Sequence, residues 1–133
     1  PVSEERTDTR VQGSIMVVDD EQPLRDLLAR TLVGAGFEVH VAACAGEALA
    51  FLAREREAVD VLVTDFAMPI MTGPELAERM RRFVPRLRVV YMSGYADELR
   101  DRIRLLGRDD VLLAKPFTGD DLVSRIRRVM LGG

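Results

Sequence analysis

The sequence predicts one doubly wound α/β domain built on a parallel five-stranded sheet. Five short apolar runs alternate with five amphipathic segments along the chain, and such alternation is typical of a parallel sheet with helices on both faces. The length of 133 residues suits a single domain with a real hydrophobic core. Hydrophobic residues at 47% and charged residues at 31% indicate an ordinary soluble globular protein.

The apolar runs predict the strands and their order. Residues 15–18, 61–65, 87–92 and 111–114 are nearly continuous apolar stretches, as in strands buried on both faces. Residues 37–41 instead alternate apolar and polar, so we expect the second strand at an edge of the sheet. The order 2-1-3-4-5 of the flavodoxin-like layout places it there and makes strands 1 and 3 neighbours at the switch point.

The amphipathic segments predict the helices. Pro23 suits the first turn of the first helix, and Thr72 with Glu75 forms a capping box for the third. Thr118 begins the last helix, whose first turn is acidic and whose end is basic, as the helix dipole favours. The inward faces, from the first helix to the fifth, are predicted at Leu24, Leu27, Leu28 and Leu32; Ala48, Leu49 and Leu52; Leu76 and Met80; Leu99, Ile103 and Leu106; and Leu122, Ile126 and Met130.

The two ends of the chain are predicted to differ from its middle. Residues 1–13 are mostly polar and are expected to be a tail or linker, whereas residues 14–131 are expected to form the domain. Because the chain starts at Pro1 rather than Met and stops soon after the last helix, we expect it to be a piece of a longer protein.

Composition excludes several classes of function. The net charge is −3, from 19 basic and 22 acidic residues, so no basic surplus favours direct nucleic-acid binding. Cys44 is the only cysteine, which rules out an internal disulfide or a cysteine metal cluster and fits a reducing, cytoplasmic setting. No apolar run approaches the ~18 residues of a membrane span, and nothing resembles a signal peptide.

Polar side chains that can carry chemistry follow four of the five predicted strands. Asp19 and Asp20 follow strand 1, Asp65 ends strand 3, Ser93 follows strand 4 and Lys115 follows strand 5. Parallel strands bring these ends to one crevice. Clustered carboxylates repel unless a cation lies among them, and their oxygens suit Mg²⁺. A carboxylate nucleophile with a metal pocket, a lysine and a hydroxyl is a set for phosphoryl transfer.

Each of these residues taken alone has a simpler interpretation. An acidic pair after a strand is more often a solvated turn or a helix cap, and Asp65 alone would be a turn residue. Ser93 alone would bond to nearby backbone, and Lys115 alone would lie on the surface. Their joint placement at one edge favours the functional interpretation. His40 is expected to be a half-exposed strand residue, and Cys44 a small residue of a loop or the core.

Four motifs in order resemble the receiver domain of bacterial two-component response regulators. They are Val17-Val18-Asp19-Asp20-Glu21, Thr64-Asp65-Phe66-Ala67-Met68-Pro69, Met92-Ser93-Gly94 and Lys115-Pro116-Phe117. Each motif alone is weak, whereas the four together are highly specific. The resemblance extends from about residue 14 to about residue 131.

The resemblance implies a role for each site residue. It implies that Asp65 is the phosphoacceptor, that Asp19, Asp20, Asp65 and the carbonyl of Ala67 hold Mg²⁺, and that Ser93 moves towards the phosphoryl group. Lys115 resembles the phosphate-binding lysine, and the Lys115-Pro116 bond resembles one that is cis in the family. One departure is Leu112, three positions before the lysine, where the family usually has an aromatic residue coupled to the hydroxyl.

The resemblance also implies partners and a context. The donor is expected to be a histidine kinase or a phosphotransfer domain. The fourth helix, fifth strand and fifth helix are a candidate surface for a homodimer, with a solvated face as the alternative. Leu112 and the stretch Met92-Ser93-Gly94-Tyr95-Ala96-Asp97 resemble the carboxyl-terminal receivers of hybrid histidine kinases. We therefore expect this receiver to be one domain of a histidine kinase. The parent kinase would be an enzyme and could be anchored in a membrane. The alternative is a stand-alone single-domain regulator.

Three other function classes compete with this interpretation. A haloacid-dehalogenase-type phosphatase also uses a strand-end aspartate, but it needs a second acid where this chain has Ala67, and no cap segment is present. A pseudo-receiver that never takes phosphate would not need the intact acidic pair, Asp65 and Lys115. A flavin-binding module would need a hydroxyl-rich phosphate loop after strand 1, where this chain has Asp19-Asp20-Glu21.

Overall fold

The computed structural model describes residues 13–55, 59–94 and 110–131, and these residues form one five-stranded parallel sheet flanked by four helices. The strands run in the spatial order β2-β1-β3-β4-β5, so the predicted order 2-1-3-4-5 is confirmed. In chain order the elements are β1 (Ser14–Val18), α1 (Gln22–Gly34), β2 (Glu38–Ala42), α2 (Ala45–Arg54), β3 (Val61–Asp65), α3 (Gly73–Met80), β4 (Arg88–Ser93), β5 (Val111–Ala114) and α4 (Gly119–Leu131).

The strand sequences explain which positions are buried. All five residues of β1 and the first four of β3 are buried, because helices cover both faces of the middle of the sheet. The edge strand β2 pairs only with β1, and Val41 on it remains about half exposed. His40 is half-buried, as predicted, with its ring 4.5 Å from that of Phe51.

Alternate residues of each central strand pack into two separate hydrophobic cores, one on each face of the sheet. On one face Ile15 and Val17 pack with α1 and α4, whereas Met16 and Val18 pack with α2 and α3 on the other. This division follows from the period of two along a strand. The helix residues that close the two cores are Leu28, Leu32, Leu122, Ile126 and Val129 on the first face and Ala48, Leu52, Leu76, Ala77 and Met80 on the second.

Two details of the predicted helix faces are wrong. Leu27 is 52% exposed rather than buried, because α1 presents only the stripe through Leu28 and Leu32 to the sheet. In α4, Val129 is the buried residue near the end of the helix, whereas the predicted Met130 is only partly buried and packs against the same core. The predicted fourth helix, with Leu99, Ile103 and Leu106, lies outside the described residues, as do residues 1–12 of the predicted tail.

Two helices begin at side-chain caps. Thr72 accepts a hydrogen bond from the backbone N–H of Glu75, whose carboxylate accepts from the N–H of Thr72, so the predicted capping box is confirmed. Thr118 and Asp121 form the same reciprocal pair before α4, with both distances 3.0 Å. Each box satisfies amide groups that a helix start otherwise leaves without partners. Cys44 lies exposed just before α2.

The loop between β3 and α3 is held close to the sheet edge. Gly73 opens α3 so near to β3 that a Cβ there would lie 2.5 Å from the backbone oxygen of Asp65. The loop reaches this position through Ile70, a fully exposed residue with a φ of 72°. Glycine at position 73 therefore sets how closely α3 approaches the carboxyl end of β3.

Candidate functional site

The carboxyl ends of the parallel strands bring the predicted site residues to one edge. β1 and β3 pair directly, so the acidic residues after Val18 lie beside the end of β3 at Asp65. Met92 is in register with Asp65, and Ser93 with Ala114, which places Ser93 and Lys115 next to the same edge. The backbone N–H of Lys115 donates to the carbonyl oxygen of Ser93 at 2.8 Å.

Lys115 points at Asp65. Its Nζ lies 3.5 Å from Oδ2 of Asp65, and both side chains are partly accessible, at 31% and 21% exposure. The Lys115-Pro116 peptide bond is cis, as the resemblance implied. Lys115 is also the only lysine among the 19 basic residues of the chain, all the others being arginine. A compact ammonium group at this one position differs in kind from the arginines elsewhere.

Asp19 is a buried carboxylate in which one of the two oxygens has no hydrogen-bond partner in the part of the chain that the structure describes. The residue is 1% exposed, and its Oδ1 accepts a bond of 2.8 Å from the backbone N–H of Glu21. Its Oδ2 is buried without a hydrogen-bond partner among the described residues. Asp20, by contrast, is exposed. An orphaned carboxylate oxygen in a site of hard oxygen donors fits a cation such as Mg²⁺.

The charges of the site act on one another. Burial raises the pKa of Asp19, and the negative charges of Asp65 and Asp20 raise it further, against the lowering effects of the Glu21 amide and of Lys115. Burial likewise raises the pKa of Asp65, where the charge and hydrogen bond of Lys115 lower it and the charge of Asp20 raises it. The acidic side chains are therefore close enough to disfavour each other's ionisation.

The acidic side chains alone do not provide a complete set of metal ligands. No group of three or more acidic, histidine or cysteine side chains arranged to hold a metal occurs in residues 13–55, 59–94 and 110–131. This is compatible with Mg²⁺, which usually keeps several waters and takes only one or two protein carboxylates. Ala67 lies exposed two residues beyond Asp65, in the loop from which its carbonyl would have to reach the ion.

A family model for the response regulator receiver domain matches residues 15–127. The chain belongs to this receiver family. All four motifs that carried the resemblance lie within the matched residues, and it is therefore a receiver domain of two-component systems.

Individual relatives agree with this assignment. The receiver is 31% identical over 127 residues to the sensor kinase CckA of Brucella abortus, covering 96% of this chain but 13% of that protein. It is 32% identical to the response regulator receiver protein CpdR of the same organism, covering 88% of this chain and 96% of CpdR. Against the response regulator MprA of Mycobacterium leprae the identity is 35%, and the receiver spans half the length of MprA.

Solved structures show the same fold. The chemotaxis protein CheY4 of Vibrio cholerae superposes with a TM-score of 0.77 at 30% identity, covering 88% of this chain and 98% of that one. The receiver domain of the hybrid histidine kinase CckA gives a TM-score of 0.75, also at 30% identity and with the same coverage.

The structure adds two features that the sequence did not predict. Arg25, in the first turns of α1, donates from Nη1 to the carbonyl oxygen of Asp19 at 2.8 Å and so fixes the backbone beneath the acidic pair. An apolar groove of about 350 Å³ opens beside Lys115, between α1 and the loop before α4. The excess of leucines in α1 beyond the stripe needed for the core was the sequence signal for this groove. Its lining residues are Leu24, Leu27, Leu28, Thr31, Lys115, Pro116, Phe117 and Gly119.

Proposed function

We propose that Asp65 is the phosphoacceptor of this receiver and takes its phosphoryl group from a phosphohistidine. The observation that carries the proposal is the 3.5 Å contact between Lys115 Nζ and Asp65 Oδ2 at the edge that also holds the acidic pair. A carboxylate in a crevice with a fixed cation beside it can approach an anionic phosphoryl group that the carboxylates alone would repel.

In the reaction, an oxygen of Asp65 bonds to phosphorus as the bond between phosphorus and the donor imidazole nitrogen breaks. Lys115 stabilises the charge on the phosphoryl oxygens during this transfer, and the hydroxyl of Ser93 donates to one of them once the group has arrived. The residues that would hold Mg²⁺ are Asp19, Asp20, Asp65 and the carbonyl of Ala67. Mg²⁺ bound there would supply further neutralisation of the phosphoryl charge.

The groove beside Lys115 supports a protein donor. Leu27 is 52% exposed on its rim, and Phe117 and Pro116 continue the apolar surface up to the lysine. An apolar surface next to the acceptor suits an amphipathic helix that presents a histidine. We therefore assign this groove to the histidine kinase or phosphotransfer domain that delivers the phosphoryl group.

The proposed context is the receiver of a hybrid histidine kinase. Similarity to CckA over 96% of the chain supports it, and the comparable similarity to the much shorter CpdR supports the alternative of a stand-alone regulator. None of the described helices has both the length and the apolar character to cross a bilayer. Cytoplasmic placement, the polar tail at residues 1–13 and a homodimer through the predicted fourth helix, β5 and α4, which is the predicted fifth helix, belong to this proposal. The codons that precede Pro1 in the gene decide between the two contexts.

Incubation with acetyl phosphate and Mg²⁺, followed by intact mass measurement, tests the assignment of Asp65. The wild type is expected to gain one phosphoryl group, and Asp65→Asn none. Asp60→Asn is the matched control, because Asp60 is exposed just before the same strand, at its opposite end, and should phosphorylate normally. An unmodified wild type, or equal modification of Asp65→Asn, would refute the proposal.

A further inference from the structure

Tyr91 occupies the space beside the position where the family usually has an aromatic residue. That position is Leu112 on β5, and Tyr91 on β4 is its partner in the sheet register. Both belong to the core between the sheet and helices α2 and α3. Tyr91 is 1% exposed and is among the largest fully buried side chains. The chain thus has leucine at this position of β5 and an aromatic residue, Tyr91, beside it on β4.

Tyr91 is connected to the phosphorylation edge through Phe66. The two rings lie edge to face, with centroids 5.5 Å apart and an interplanar angle of 65°. Phe66 directly follows Asp65; its N–H donates to the carbonyl oxygen of Met92 at 2.9 Å, and its backbone amide lowers the pKa of the Asp65 carboxyl. Tyr91 also precedes Ser93 by two residues, so both side chains project from the same face of β4.

A buried ion pair lies at the opposite end of the sheet from the predicted phosphorylation site. Arg81, just after α3, donates to Asp110, just before β5, at 2.6 Å, and also to the carbonyl oxygen of Leu87. The side chain of Asp110 is fully buried, and its Oδ2 has no hydrogen-bond partner among the described residues. Asp110 precedes Leu112, the register partner of Tyr91, by only two residues, which places the ion pair near the Tyr91 side chain. Consistent with this placement, burial raises the pKa of Tyr91, the charge of Asp110 raises it further and Arg81 lowers it.

We propose that Tyr91 is a positioning residue that joins Asp65 and Ser93, through Phe66, to the Arg81–Asp110 ion pair. The inference rests on the proposed phosphorylation of Asp65. Close-packed rings move as a unit rather than deforming gradually, so a shift of the Phe66 backbone on phosphorylation is passed to the Tyr91 ring. Coupling is reciprocal, so a change at Tyr91 must in turn alter the lifetime of the phosphorylated state.

Fluorine NMR tests the forward direction. In a Tyr95→Phe background, incorporated 3-fluorotyrosine reports Tyr91 alone, because the chain has only two tyrosines. Acetyl phosphate with Mg²⁺ is expected to move the Tyr91 resonance in step with the added mass, and the Asp65→Asn version should show neither change. Added mass with an unmoved resonance would overturn the inference while leaving the phosphoacceptor assignment intact. Failure of the mass to increase would overturn both.

Phosphoryl lifetime tests the reverse direction. Tyr91→Leu is expected to change the half-life of the phosphorylated state by roughly threefold to tenfold, the range of an aromatic edge-to-face contact. Tyr91→Phe keeps the ring and should change the half-life by less, because only the interaction of the phenol with the ion pair is lost. Phe37→Leu is the matched control, since Phe37 is buried in the other core and its loss should lower stability without changing the half-life. An equal effect of Phe37→Leu, or none of Tyr91→Leu, would contradict the inference.

A double-mutant cycle tests the step through the phenol. Asp110→Asn is expected to change the half-life in the wild type but not in the Tyr91→Phe background, where the phenol is absent. Non-additivity of this kind is the signature of two side chains that act on each other. If the two substitutions act additively, or if Asp110→Asn has no effect in the wild type, the ion pair is not part of the connection.

Discussion

Asp19 is predicted to destabilise the metal-free receiver, and Asp19→Asn should therefore stabilise it. The carboxylate is 1% exposed, Oδ2 has no hydrogen-bond partner in the described residues, and the charges of Asp65 and Asp20 oppose its ionisation. An unsatisfied buried polar group costs about 1–3 kcal/mol, and more when charged. Asparagine keeps an oxygen that accepts from the Glu21 amide and removes the charge. We expect a gain of about 1–2 kcal/mol, or roughly 3–10 °C in Tm for a chain of this size.

The pH dependence of this gain has a definite sign. Because burial and nearby charges raise the pKa of Asp19 in the folded state, protonation favours folding. The contribution of Asp19 is most favourable below its ordinary pKa of 3.8 and is lost as the pH rises through the raised value. The advantage of Asp19→Asn should accordingly be full at neutral pH and shrink as the pH falls towards 3.8.

Thermal unfolding followed by circular dichroism, with EDTA and with saturating Mg²⁺, measures both effects. Mg²⁺ should raise the Tm of the wild type, since at a hundred times the dissociation constant it adds about 2.7 kcal/mol to the free energy of unfolding; the Tm of Asp19→Asn should rise much less. Asp26→Asn, an exposed aspartate on α1, is the control and should change neither value. A lower Tm for Asp19→Asn in EDTA would refute the reasoning, because it would mean that the buried charge is compensated without a cation.

Three further predictions follow from other contacts. Lys115→Arg keeps the charge but not the compact ammonium, so acetyl-phosphate labelling of Asp65, measured by intact mass, should slow by an order of magnitude or more; an unchanged rate would show that the reaction needs only a positive charge at this position. Gly73→Ala should slow the same labelling, because its Cβ would collide with the Asp65 backbone, whereas the control Gly34→Ala meets nothing within 4 Å; equal rates would contradict this. Arg81→Met should lower the free energy of unfolding by about 3–5 kcal/mol in urea titrations, since it leaves Asp110 buried and unpaired, and adding Asp110→Leu should recover most of it; a loss under 1 kcal/mol would be inconsistent with that ion pair.

The fold was predictable because its signals are local and periodic. Continuous apolar runs indicated β1, β3, β4 and β5, and alternation indicated the edge strand β2. The flavodoxin-like strand order is the one that places such a strand at the edge next to β1. The capping box at Thr72 could be predicted because both partners lie within one helical turn. The exposure of Leu27 could not, because a leucine on a helix does not reveal where the sheet beneath it ends.

The proximity of Asp65 and Lys115 was predictable from the sequence, whereas the energetic state of the carboxylates around them was not. Strand ends and motifs brought Asp65 and Lys115 together in the prediction, and the structure places them 3.5 Å apart. The unpaired oxygen of Asp19 depends on backbone geometry at Glu21, and the Arg81–Asp110 pair joins residues 29 positions apart. Such contacts depend on how elements pack in three dimensions, and no periodic pattern in the sequence encodes them.

The single lysine allows one side chain of this receiver to be modified or labelled selectively. Apart from the α-amino group, Lys115 is the only primary amine in the chain, so an amine-directed reagent reaches the side chain that faces Asp65 and no other. One isotope-labelled lysine would yield one side-chain signal, placed where the phosphoryl group is expected to arrive. The arrival of a phosphoryl group at the crevice could then be followed through the Lys115 side-chain signal alone, without assigning the rest of the spectrum.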